Sequence, residues 1–121
     1  MAKILIVDDS PAQVLKLSTL IENWGHCAIS AENGDQALQT AREESPDVIL
    51  MDVVMPGMSG FQATRKLSKD LVTCRIPVIF VSNKGGEADR IWGMRQGATA
   101  YVTKPVDPEE LLSAISAAIA A

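Results

Sequence analysis

Five short apolar runs recur along the chain, and after each comes a stretch whose apolar residues keep helical spacing. The runs are KILIV (3–7), HCAISA (26–31), DVILM (47–51), IPVIFVS (76–82) and AYVT (100–103). Most of them are apolar without alternation, which is the pattern of a strand buried on both faces. HCAISA is the weakest, and Pro77 suits only the entrance of its strand. The intervening stretches read as helices over 10–25, 33–44, 59–71, 86–97 and 109–121. Val14, Leu17, Ile21 and Trp24 share a face in the first, with Gly25 as its stop; Ala37, Leu38 and Ala41 do so in the second, and Phe61, Thr64 and Leu67 in the third. Gly93 weakens the fourth, while Asp107 and Pro108 cap the fifth. The expectation is an α/β protein of (βα)5 type. Its five-stranded sheet is parallel and doubly wound, with right-handed crossovers, helices on both faces and strand order 2-1-3-4-5.

The 121 residues make one domain, 1–121, whose last helix uses up the chain and leaves no room for an output domain. No apolar run approaches the ~20 residues needed to span a bilayer, so membrane insertion is not expected. MAKILIVDDS meets acid within eight residues and is not a signal peptide. Cytoplasm is the expected location. Cys27 and Cys74 are far apart and belong to no CxxC, so they read as small hydrophobes, buried or half-buried, rather than a disulfide or a zinc site. Residues 1–60 carry nine acids against three bases, and residues 61–121 six against eight. So acidic a first half argues against a nucleic-acid binder; a basic patch in the second half could at most guide a protein partner.

In an open parallel sheet, chemistry collects beyond the carboxyl ends of the strands. Asp8 and Asp9 follow the first strand, Asp52 the third, Ser82 ends the fourth and Lys104 follows the fifth. With the second strand outside, these residues surround one crevice. Three carboxylates there would repel one another and raise their pKa values, a conflict that a divalent cation removes. Hard oxygen ligands with no His or thiolate favour Mg²⁺ or Mn²⁺. Asp52 would then stay ionised as a nucleophile, with Lys104 and Ser82 placed to meet the oxygens of an incoming phosphoryl group. The constellation reads as self-catalysed phosphoryl transfer to a carboxylate.

VDDS, LMDVVMPGMSG, PVIFVS and TKPVD together resemble the receiver domains of two-component response regulators, the flavodoxin/CheY-like group, along the whole chain. The resemblance implies a phosphoacceptor at Asp52 supplied by a histidine kinase. It further implies a metal site of Asp9, Asp52 and the Val54 backbone carbonyl, with Asp8 assisting. Ser82 and Tyr101 become a switch pair: Ser82 moves toward the phosphate and Tyr101 rotates into the vacated space. The Lys104–Pro105 bond resembles the family's cis peptide, which aims the lysine. The fourth helix, last strand and last helix would present the altered surface to a protein effector. Such a protein is a phospho-accepting signalling module, a monomer or weak homodimer, that catalyses only its own phosphorylation and dephosphorylation. GFQATRKL, RIWGMRQGA and YVTKPVD more narrowly resemble PilH-type receivers of type IV pilus chemosensory systems, which govern twitching motility. Asn83 stands where a small residue is common in the family.

Other readings compete for the same residues. Asp8 and Asp9 precede a helix and could simply favour its start, although Ser10 and Pro11 already supply that cap. Asp52 could be a turn residue before Pro56-Gly57, and Lys104 a solvated loop lysine. Trp92 is open between core packing and partner contact, and His26 has no assigned role. A phosphatase of the DxD type would need a second Asp at Val54. A flavin carrier would not put anions after its first strand. A receiver that only docks, and is never phosphorylated, remains the rival.

Overall fold

A computed structural model describes all of residues 1–121. Its elements, in chain order, are β1 (Lys3–Val7), α1 (Pro11–Asn23), β2 (Cys27–Ala31), α2 (Gly34–Glu44), β3 (Val48–Met51), α3 (Gly60–Lys69), β4 (Val78–Ser82), α4 (Glu87–Arg95), β5 (Ala100–Thr103) and α5 (Pro108–Ala120). All strand pairs are parallel, in the order β2-β1-β3-β4-β5, as the alternation predicts.

The apolar strands divide their side chains between two cores by the two-residue period of a strand. Leu5, Val7, Ile49, Met51, Val78, Phe80 and Tyr101 join Ala37 and Ala41 of α2 and Ala63 and Leu67 of α3 on one face. Ile4, Ile6, Val48, Leu50, Ile79, Val81 and Val102 meet Leu17 and Ile21 of α1 and Leu111 and Ile115 of α5 on the other. Each buried Val, Leu or Ile contributes about 1.5–3 kcal/mol, so uncovering either face would forfeit several residues' worth at once. That is why strands written without alternation require helices on both sides.

Local signals start most helices. Ser10, Asn33 and Ser59 each accept the backbone N–H of the residue three further on, and Ser59 completes a capping box with Gln62. Asp107 accepts from Glu109 N–H ahead of α5. α4 begins at Gly86 with no side-chain cap, and it is the shortest helix at 9 residues. The elements are trimmed relative to expectation where caps intervene. α3 stops at Lys69 because Asp70 turns extended and its carboxylate accepts from Val72 N–H at 2.8 Å. β4 begins only after Pro77, whose carbonyl still accepts from Ile49 N–H at 2.9 Å. No helix is long and apolar enough to cross a membrane.

Four side chains correct or settle the sequence reading. Both cysteines are exposed, not buried or half-buried. Cys27 opens the outermost strand, where burial rises only toward Ala31, and Cys74 sits among the turns between α3 and β4. Trp92 is 48% exposed and therefore not core. His26 Nδ1 accepts from the Ala2 backbone N–H at 3.0 Å, a structural tie at the start of the edge strand.

The segment between β3 and α3 is held by close approach. Gly57, at φ 75°, takes the left-handed conformation that turns the chain after Pro56. A Cβ on Gly60 would collide with the Asp52 carbonyl oxygen, while the Gly60 N–H donates to the Val53 carbonyl at 2.8 Å. Gly60→Ala should therefore cost about 3 kcal/mol by forcing backbone apart, within the range of overpacking and strain. Urea denaturation measures this; an unchanged midpoint would mean that the β3–α3 segment yields freely.

Candidate functional site

Register builds the site. Val7 pairs with Met51, and Met51 with Phe80, so the residues just beyond the first two, Asp8 and Asp52, emerge side by side. The Asp52 N–H donates to the Val7 carbonyl at 2.9 Å and that of Asp8 to the Ala31 carbonyl at 3.1 Å, carrying the ladder one residue further. Ser82 pairs with Thr103, and the Lys104 N–H donates to the Ser82 carbonyl at 2.8 Å. The Lys104–Pro105 bond is cis. All five residues named at the strand ends thus converge on one edge, and a cleft of about 390 Å³ opens over them, rimmed also by Gln13, Val54 and Asn83.

The closest ion pair is not the one with Asp52. Lys104 Nζ donates to Asp8 Oδ2 at 2.9 Å and lies 3.7 Å from Asp52 Oδ1. The Lys104 and Asp8 side chains are only 9% and 3% exposed, so this pair is desolvated. Asp8 Oδ1 accepts from the Ser10 N–H at 2.9 Å. Both Asp8 oxygens are therefore engaged, and its helix-bracing role exists alongside the ion pair. Asp52 Oδ1 also accepts from Val53 N–H at 2.9 Å. Asp9 is exposed.

Carboxylate oxygens of Asp8, Asp9 and Asp52 lie within 4.8 Å of one another. Three hard oxygen donors so close, with a single ammonium among them, fit a divalent cation of the Mg²⁺ or Mn²⁺ kind. Burial pushes the Asp52 carboxyl above its usual range; Lys104 pulls it back, Asp8 and Asp9 push it further, and the Val53 N–H opposes them. Val54 is 58% exposed and lines the cleft.

Ser82 is buried, with its Oγ accepting from Lys84 N–H at 3.2 Å. The resemblance implies a Tyr101 that rotates inward on phosphorylation. Here its ring is already buried, and its hydroxyl donates to the Lys84 carbonyl. Burial also raises its phenol above the ordinary range, keeping it a neutral donor. Gln13 and Arg90 do not stand out in the sequence. Gln13 carries a signal, since it stands one turn into the helix that Ser10 caps; Arg90, whose guanidinium lies over the Tyr101 ring, carries none.

Residues 4–116 match the response regulator receiver domain family. The chain is 57% identical over 120 residues to Protein PilH of Pseudomonas aeruginosa, covering 99% of each. It is 40% identical over 114 residues to the response regulator PleD of Caulobacter vibrioides, covering 94% of this chain and 25% of that one. Among solved structures, the Vibrio cholerae chemotaxis protein CheY4 superposes with a TM-score of 0.90 at 30% identity, covering 98% of both chains. The receiver domain of a Pseudomonas aeruginosa sensor histidine kinase, solved with magnesium in its active-site cleft, superposes at 0.91 with 27% identity, covering 99% of this chain and 98% of that one.

Two variants test the electrostatics in metal-free buffer. Because the folded pKa of Asp52 is raised, its ionised form opposes folding above that pKa, and the cost disappears below the unfolded value of about 3.9. Asp52→Asn should therefore be more stable than the parent at neutral pH, with the gap closing as pH falls toward that unfolded value. Lys104→Ala strands the buried Asp8 carboxylate and should lose about 3 kcal/mol. Thermal melts across pH check both; an Asp52→Asn variant that melts lower than the parent at neutral pH would refute the assigned strain.

Proposed function

The chain belongs to the response regulator receiver domain family, and on that footing we propose that it is a stand-alone phospho-acceptor in a two-component relay. A carboxylate oxygen of Asp52 attacks the phosphorus of a phosphohistidine on a histidine kinase. The new O–P bond forms as the N–P bond breaks, and the imidazole leaves with the electron pair and takes up a proton. Asp52 then carries an acyl phosphate until water attacks the phosphorus and returns carboxylate and inorganic phosphate. The proposal rests above all on one observation: Asp52 sits 3.7 Å from a buried ammonium with the Asp8 and Asp9 oxygens beside it.

In this reading Asp9, Asp52 and the Val54 carbonyl hold Mg²⁺ or Mn²⁺, with Asp8 alongside. That ion would supply the positive charge that the phosphoryl oxygens need as they pass. Lys104 moves its attraction from the carboxylates to the transferred group, and the Ser82 hydroxyl donates to one of its oxygens. The module catalyses only its own phosphorylation and dephosphorylation. Its output is a changed α4-β5-α5 surface read by a protein effector; half-exposed Ile91, Trp92 and Met94 on α4 support that face. The 57% identity to PilH supports a stand-alone regulator and a role in type IV pilus chemosensory signalling and twitching motility. The protein acts in the cytoplasm, as a monomer or weak homodimer.

Incubation with acetyl phosphate or phosphoramidate and Mg²⁺ should add one labile phosphoryl group by intact mass, and Asp52→Ala should gain none. No adduct, together with no detectable Mg²⁺ binding, would make the chain a docking module instead. Lys104→Ala, studied with Mg²⁺ present, should still bind the ion but lose the difference in effector affinity between phosphorylated and free forms. Titration of the effector onto both forms decides it.

A further inference from the structure

Tyr101 is the only tyrosine in the chain, and three groups wall in its ring. Phe80, its register partner on β4, has its ring centroid 5.8 Å away at 49°. Gly93 on α4 packs backbone against it, since a Cβ there would stand 2.9 Å from Tyr101 Cδ2. Arg90, one turn earlier on α4, sets its guanidinium carbon 5.7 Å from the ring centroid, a cation–π distance. That guanidinium is itself fixed. Nη1 donates to the Tyr101 carbonyl at 3.4 Å and Nη2 to Thr103 Oγ1 at 2.8 Å. Both acceptors belong to β5, so the fork is tied to the strand's backbone and neighbouring side chain and cannot follow the ring as it rotates.

An exposed arginine ordinarily contributes little through any single contact. Here one exposed side chain lies over a buried ring while two hydrogen bonds to the same strand hold it there, in a geometry that a planar fork can make and a point charge cannot. We propose that Arg90 is the positioning residue for Tyr101, holding the ring inward whether or not Asp52 carries a phosphoryl group. The inference rests on the proposed phospho-switch only for its consequence: phosphorylation acts through Ser82 and Lys104 on a tyrosine that is already seated. It does not depend on that switch for the latch itself.

With one tyrosine, biosynthetic 3-fluorotyrosine gives a single ¹⁹F resonance from the full chain. Before any phosphodonor is added, the parent should show a dispersed resonance, and phosphoramidate with Mg²⁺ should move it little. In Arg90→Met the unphosphorylated resonance should move at least halfway toward its position in the urea-unfolded chain, and in Arg90→Lys it should fall between. Trp24 packs on the opposite face of the sheet, so its 5-fluorotryptophan signal should stay put; general loosening would move both. If Arg90→Met fails to fold by far-UV circular dichroism, Arg90→Lys is read in the same way. A Met or Lys variant whose resonance coincides with the parent overturns the latch. So does a parent resonance that starts near the unfolded position and moves inward only on phosphorylation. If no phosphoryl group is gained by mass, the proposed function fails, while the unphosphorylated comparison still decides the latch.

Discussion

The functional end of the molecule depends on one desolvated ammonium shared between two carboxylates. Lys104 lies 2.9 Å from Asp8 and 3.7 Å from Asp52, and it joins strand ends 96 residues apart in sequence. One cation among three acids leaves the cluster short of positive charge, and burial in a low dielectric makes the shortfall costly. Such a site is stable enough to persist and unbalanced enough to want a ligand. In the proposed function a divalent cation would restore the balance, and a phosphoryl group would then upset it in the other direction. The same imbalance that costs folding energy is what makes the site responsive.

Everything beneath this cluster serves to hold it still. Asp8 and Asp52 are each one residue beyond a strand whose side chains are mostly or fully buried, and the backbone ladder continues through their N–H groups. On the Asp52 side, Gly60 brings the start of α3 against the peptide of Asp52 itself, leaving no space for a side chain. Asp52 is thus fixed by its backbone pairing as well as by packing. The far side is held less, since α4 begins without a side-chain cap at Gly86.

How much of this could be read from the chain depends on the range of the physics involved. The sheet, its order and the residues at its edge were legible because an apolar run that stops at a polar residue marks a strand end directly. Asp52, Ser82 and Lys104 each stand at such a stop. The preference of Lys104 for Asp8 was not legible, because it turns on a small difference in distance between two side chains brought together only by the closed sheet. The cysteines misled for the opposite reason: residue type favours burial, but their positions at the outermost strand and among the turns decided otherwise. Tyr101 stands out in the sequence, but its packing against Gly93 and Arg90 does not, since neither of those residues signals anything alone.

The backbone of Lys84 links the two halves of the proposed switch. Its N–H donates to Ser82 Oγ at 3.2 Å, and its carbonyl accepts the Tyr101 hydroxyl. If Ser82 turns toward a phosphoryl group on Asp52, Oγ leaves that N–H behind, and the peptide before Lys84 is freed while the one after it stays tied to the Tyr101 hydroxyl. Gly85 follows at once, packed so closely on Thr103 that a Cβ would collide with the threonine methyl. A tilt at Lys84 is therefore resisted on the β5 side and passes more readily to the uncapped start of α4. On the proposed function, a phosphoryl signal would reach α4 through backbone, with Tyr101 as the fixed pivot rather than the moving part.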